Sequence, residues 1–346
     1  MDKKITYKNS GVDISAGNKS IKMVKEKIHS TFNSSVITGI GTFGAIYDLS
    51  EIIKNYKKPV IVQSIDSVGT KLIVANLANN HKTIGADMVS HSCNDVLCQG
   101  AKPIIFLDYI AVDKLNPNHI EEVIYGICEG CKEVDLPLLG GEIAELPGVY
   151  MAGEYDLVGA VTGVLEKDQI IDGSKISHGD AVIGLASNGL HTNGYSLARN
   201  VFFNAKKFKI DQYIGELGCN LGEALLKPHM NYTNPVLSVL ENFEIKGIAH
   251  ITGGGLLENI PRILPKNCHV VISKNSWTTP PIFQLIQQYG NVPEEDMFRT
   301  FNMGIGMVLI TGQNVKALVM EKLNSQDLNI IEIGEVLKGS KEVSIR

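Results

Sequence analysis

Short apolar runs rich in Ile, Val and Leu alternate along this chain with longer stretches whose apolar positions recur at helical spacing. Pro59 to Asp66, Pro103 to Ile110, Leu136 to Gly140 and Asp156 to Leu165 predict strands, with helices over Lys82 to Gln99 and Pro117 to Val134 between them. A second series begins near Asp180, where DAVIGLAS predicts a strand ending in a loop. Further strands are expected at Gly247 to Ile251, Cys268 to Ser273, Gly306 to Thr311 and Asn329 to Val336. Helices fit Gly194 to Asn204, Pro235 to Asn242, Leu256 to Leu264, Pro280 to Tyr289 and Asn314 to Leu323. Between the two series, Lys167 to Gly179 is polar and turn-rich, which sets a domain boundary between 1–168 and 175–346. Two α/β domains follow, with strand order left open.

A length of 346 residues accommodates two such domains, and the composition is globular. Aromatic residues make up only 6%, so the core must be aliphatic, as buried strands in α/β proteins often are. A net charge of -5 gives no electrostatic reason to expect a nucleic-acid or anionic-membrane partner. The opening MDKKITYKNSG has no apolar signal-like core, and the run from Pro103 to Val112 is broken by Asp108, so a cytoplasmic location is expected. The scattered cysteines do not resemble a disulfide framework. Cys128 and Cys131 form a CxxC inside a helical pattern with no second pair, and read as two half-buried helical cysteines rather than a metal or redox site.

Three acidic positions carry the candidate chemistry. Asp66 ends a strand and enters DSVGTK, placing a carboxylate, the small Gly69 and Thr70, and Lys71 where α/β folds gather ligands. An Asp-capped turn explains the same residues. Asp87, His91 and Asp95 are spaced four apart and share one helical face, a pattern that a solvated surface also produces. Glu142 follows paired glycines after LPLL, a sign of close backbone approach. Asp66, Asp95 and Glu142 together offer hard oxygen donors suited to magnesium, and a histidine- or cysteine-loving metal fits them poorly.

Two glycine-rich segments compete for phosphate. Gly39 to Gly44 matches GxGxxG at about dinucleotide-fingerprint spacing from Asp66, but STFNSSVIT before it makes a poor buried strand. A glycine loop closing over a nucleotide is the better functional reading, beside an ordinary loop. Thr252 to Gly255, between a strand and a helix, places N–H groups at a helix start. Asn188 to Gly194 is a third polar loop, and His191 in it is the best imidazole candidate for substrate contact, with a structural role as the alternative.

In order along the chain, YKNSGVDISAGN, GIGTFGAIYDL, DSVGTK, SCNDVLCQGAKPIIFLDY, GGEIAELPGVY, EKDQIIDGSK, SNGLHTNGYSLAR, HITGGGLLENIPRILP and MFRTFNMGIGMV resemble the phosphoribosylformylglycinamidine cyclo-ligase family over essentially the whole length. The chain departs from that pattern at Ser67, Ile40, Thr42, Ile143 and Leu146, none of which removes a carboxylate or Lys71. The resemblance implies an ATP-dependent ligase of purine biosynthesis that cyclises formylglycinamidine ribonucleotide. It implies an N-terminal domain contributing strands to a barrel at a homodimer interface, beside a C-terminal α/β domain. It further implies Asp66, Asp95 and Glu142, with Asp87, as magnesium–ATP ligands. Lys71, Gly69 and Thr70 then lie at the ATP phosphates under a cover of Gly41, Phe43 and Gly44. Gly253, Gly254 and Gly255 with Asn188 take the substrate, and His191 and Asn193 lie near the reacting group.

Alternatives within the superfamily are selenophosphate synthetase, which generally needs a reactive residue near its N-terminus whereas the first cysteine here is Cys93, and thiamine-monophosphate kinase. A nicotinamide-dependent oxidoreductase built on Gly39 to Gly44, and a silent nucleotide-binding regulator, are the readings from other classes.

Overall fold

The computed structural model describes residues 5–326 and 328–346. The N-terminal part is built on four strands, β1 (Pro59–Ser67), β2 (Lys102–Val112), β3 (Leu138–Glu145) and β4 (Tyr155–Glu166), in the order β1-β4-β2-β3. Only β2 and β3 run parallel. Four helices accompany this sheet: α1 (Ile14–His29), α2 (Lys71–Ala78), α3 (Ile84–Leu97) and α4 (Pro117–Glu133). The C-terminal part is a six-stranded sheet. Its strands are β5 (Ala181–Ala186), β6 (Ile245–His250), β7 (Cys268–Ile272), β8 (Ile305–Thr311), β9 (Ile330–Lys338) and β10 (Glu342–Ile345). Their order is β6-β8-β5-β9-β7-β10, with β7 and β10 the one parallel pair. A short 3₁₀ turn, Lys167–Gln169, follows β4 in the polar segment that separates the two sheets.

Period-two burial along β1, β2 and β4 gives the N-terminal sheet one covered and one open face. Phe106, Asp108, Ile110, Leu157 and Val161 lie under the helices, while Ile61, Ile65 and Leu107 are exposed on the other side. On the covered side α3 and α4 pack with their backbones nearly touching. A Cβ on Gly85 would strike the Ile127 amide, and one on Gly126 would strike the Lys82 carbonyl. Cys93, Cys128 and Cys131 fill this seam and are fully buried rather than half-buried, and burial pushes the Cys128 thiol up to about 12. They are structural. Asn116 caps α4, with Pro117 in its first turn, which is why the pattern located its start.

Several elements went unread in the sequence. Helix α1, capped by Asp13 and buried through Ser20, Val24 and Ile28, precedes the first expected strand. Lys71 opens α2 instead of lying in a strand-exit loop. Gly39 to Gly44 forms the tip of a small hairpin between Val36–Thr38 and Ile46–Tyr47, so the strand–turn–helix setting of a dinucleotide fingerprint is missing. Among the described residues, no helix is long and apolar enough to cross a membrane.

Asp108 is the one carboxylate on the covered face of β2, opposite Gly159 and Gly141. A side chain at Gly141 would collide with it, which accounts for one of the paired glycines. Burial pushes its carboxyl up to about 7. A raised folded-state value means that wild-type stability falls as pH rises from about 4 and levels off above about 7. Asp108→Asn is therefore expected to raise the melting temperature, with a gain that is small at pH 4–5 and largest above pH 7. A gain independent of pH in thermal melts would contradict this.

Candidate active site

Helix α3 is the wedge between the two parts. Both flanks of its polar stripe are enclosed, because the helix packs on the N-terminal sheet and on α4 while its Asp87–Asn94 side meets the C-terminal part. Each polar residue of the stripe must then find a partner across the boundary. Asp87 accepts from the His229 amide at 2.6 Å and pairs with Lys71 at 2.8 Å. His91 contacts Thr192 Oγ1 through Nδ1 at 2.7 Å. Asn94 accepts from the Tyr232 amide and donates to the Met230 carbonyl, both at 2.9 Å. Asp95 meets His250 Nδ1 at 2.9 Å and accepts from Ser64 Oγ at 3.2 Å.

Asp66 joins from the end of β1, its Oδ2 2.7 Å from His91 Nε2, while Oδ1 accepts from the Ser67 amide. Burial opposes charge on Asp66 and on Asp95, but the imidazoles beside them hold both carboxyls below the ordinary range. Both remain partly open to solvent, with 38% and 31% of their side chains exposed, enough to reach a ligand.

Four histidines gather here, including His229 and His250, which the sequence reading did not single out. His229 Nε2 lies 3.1 Å from His250 Nε2, its Nδ1 lies 3.3 Å from Thr192 Oγ1, and its ring stacks on His191 at 4.0 Å. A continuous chain thus runs Asp66–His91–Thr192–His229–His250–Asp95. Its five contacts each need one hydrogen, yet ionised carboxylates, neutral imidazoles and one hydroxyl supply only four. His91 is the group best placed to hold a fifth: burial works against its charge, but Asp66, Asp95 and Asp87 raise its pKa on balance. Burial and the neighbouring cations lower His191 and His229, and burial lowers His250 despite Asp95.

The expected residues separate into groups. Lys71 and Asp87 are fully enclosed, and the Lys71 ammonium is also bound by the Lys227 carbonyl at 2.8 Å. Burial pushes the lysine down and the aspartate up, and their attraction opposes both shifts. In this arrangement Lys71 and Asp87 are closed off from solvent and face each other, Nζ to Oδ2 at 2.8 Å, rather than the open groove. Gly69, at φ 64°, and Thr70 are exposed at the start of α2. His191 is buried at φ 60°, and neither of its ring nitrogens has a hydrogen-bond partner among the described residues.

A cavity of about 280 Å³ opens at Asp95 and His250 and extends past Ser64, Thr252, Asn259 and Arg262. Gly253 borders Asn193, and the Asn259 amide pins the loop by donating to the carbonyls of Thr252, Gly253 and Gly255. Packing alone requires two of these glycines. Gly254 has φ 97°, and Gly255 has φ 57° with the Phe298 carbonyl against its Cα. Asn188 lies elsewhere, at a second cavity of about 330 Å³ that His229 also lines. Phe43 projects from the hairpin tip fully exposed, and Thr42 closes that tip on the carbonyls of Gly39 and Gly44. Glu142 is exposed on the open face of the N-terminal sheet. It is three strands from β1, roughly 14 Å at ordinary strand spacing, and on the opposite face from Asp66. One chain does not bring the three carboxylates together.

Residues 47–165 match the family of AIR synthase related proteins, N-terminal domain, and residues 177–346 match the corresponding C-terminal domain. A phosphoribosylformylglycinamidine cyclo-ligase of Syntrophotalea carbinolica is 48% identical over 340 residues, covering 98% of this chain and 97% of that protein. Its counterpart from a Thermoanaerobacter species is 49% identical over 96% of this chain and 98% of its own length. The fold is shared with thiamine-monophosphate kinase from Stenotrophomonas maltophilia, at TM-score 0.71 and 15% identity over 93% and 95% of the two chains. It is also shared with the hydrogenase maturation protein HypE solved in complex with ATP, at TM-score 0.63 and 14% identity over 97% and 93%. The chain belongs to the phosphoribosylformylglycinamidine cyclo-ligase family.

Proposed function

We propose that this chain converts formylglycinamidine ribonucleotide and ATP into 5-aminoimidazole ribonucleotide, ADP and phosphate in purine biosynthesis. End-to-end kinship with proteins named for that reaction carries the reading. An amide oxygen is a poor leaving group. Transfer of the ATP γ-phosphoryl group to the formyl oxygen makes it a phosphate, and the amidine nitrogen then attacks the formyl carbon, loses a proton and expels phosphate. Ring closure is intramolecular, so holding the substrate folded supplies much of that step. Magnesium, when bound, neutralises charge on the transferring phosphates.

Asp66 and Asp95 fit such an ion, being partly open carboxylates held ionised by the imidazoles behind them. Ser64, Thr252, Asn259 and Arg262 line the adjoining cavity with polar groups suited to a phosphorylated ribose, and Asn193 faces the Gly253 loop. Gly69 and Thr70 offer backbone to the nucleotide phosphates, with the Phe43 hairpin as a cover. His191, neutral and unpartnered, fits contact with the reacting group once a substrate is seated. Lys71 and Asp87 act as the clamp that fixes the domains, and a cytoplasmic location fits the pathway.

The open sheet face, with Ile61, Ile65 and Leu107 uncovered, supports a homodimer in which two such sheets meet to form a barrel. Glu142 then completes the metal site of the second copy rather than its own.

Four outcomes are expected. Product assays with magnesium and ATP should give ADP only when formylglycinamidine ribonucleotide is present, matched one-to-one by the cyclised amine. ADP without that substrate would return the choice to the kinase-like relatives. Asp95→Asn and Glu142→Gln should each lower turnover by roughly a hundredfold or more with the fold intact. Mixing the two variants should restore about a quarter of wild-type activity, since half the dimers then carry one intact site. No recovery on mixing would remove Glu142 from a metal site shared between the two chains. Ile65→Asp should shift the sedimentation of the protein from dimer to monomer, and an unchanged dimer would remove the sheet face from the interface.

A further inference from the structure

The donors at the domain boundary are not the all-oxygen set that the acidic residues alone implied. One ligating atom each from His91, Asp95 and His250 lies within 4.8 Å of the others, and Asp66 stands against His91. Two imidazoles and a carboxylate form a set that borderline transition metals take readily and that magnesium, which favours six oxygens, does not. We propose that His91, Asp95 and His250 form a transition-metal site of the zinc, cobalt or nickel class, with Asp66 as an adjoining carboxylate.

The surroundings have the form of a prepared site. His91 is oriented by Thr192 at its far nitrogen and His250 by His229, which are the contacts from behind that hold metal-binding imidazoles in place. Asp95 opens on the cavity of about 280 Å³, which provides an entry path and room for a water as a further ligand. Because Asp66 and Asp95 would serve both ions, zinc at this site would compete with the magnesium–nucleotide complex. That consequence rests on the cyclo-ligase reading, whereas the site itself does not.

The test is cobalt titration of the chelator-treated full-length protein, without nucleotide or substrate, followed by visible absorption. One equivalent per chain with the intense bands of four- or five-coordinate cobalt is expected, displaced by zinc but not by millimolar magnesium. His250→Gln and His91→Asn should each weaken binding at least tenfold, while circular dichroism shows a retained fold. A weak octahedral spectrum, displacement by magnesium, or unchanged affinity in both folded variants would overturn the proposal. Cobalt binding together with no cyclised product would leave the metal site standing and sink only the ligase reading.

Discussion

A polar helix face buried between two domains is the constraint on which the rest of the structure depends. Helix α3 carries Asp87, His91, Asn94 and Asp95 into a boundary with little water to satisfy them, and leaving any one unpaired would cost on the order of 1–3 kcal/mol or more. Each is met from the C-terminal part: by the His229 amide, Thr192, the Tyr232 amide with the Met230 carbonyl, and His250. Contacts from four residues along one rigid helix fix the placement of the domains. The groove at their edge therefore has one shape before any ligand arrives, which is what intramolecular ring closure asks of an enzyme.

The same helix sorts acidic groups by depth. Asp87, deepest, is neutralised by Lys71 and contributes to holding the domains together, while Asp95, near the edge, keeps part of its carboxylate open. Burial keeps His229 and His250 neutral, while His91 is the ring placed to hold an extra proton beside Asp66, and Asp95 is the carboxylate that opens on the cavity.

Much of this was legible in the sequence because its signals are local. The four-residue spacing of Asp87, His91 and Asp95 marks one helix face in any fold, and the strands under it have periodic burial. His229 and His250 carried no such signal. Each is a lone imidazole at a strand end or in a loop, and the partners that give it meaning lie at Thr192 and Asp95, far away in sequence. Lys71 follows a small turn, which reads as a phosphate ligand in sequence, while the helix it opens turns its side chain inward against Asp87. Glu142 reads as a neighbour of Asp66 in a list of acids, but strand order separates them, and order is set by pairing rather than by composition. The three glycines after Thr252 suggested a ligand, whereas two of them are already demanded by backbone angle and by the Phe298 carbonyl.

If the buried Lys71–Asp87 pair belongs to the domain clamp and not to the open chemistry, each residue depends on the other for its stability in the fold. A double-mutant cycle on unfolding free energy tests it most directly, using Lys71→Met, Asp87→Asn and the two combined. Each single change leaves one charge buried without its partner and should cost about 3–5 kcal/mol, and the double variant should be more stable than either single one. Costs that simply add, or a single variant as stable as wild type, would show that the two residues do not hold each other and would return Lys71 to the nucleotide.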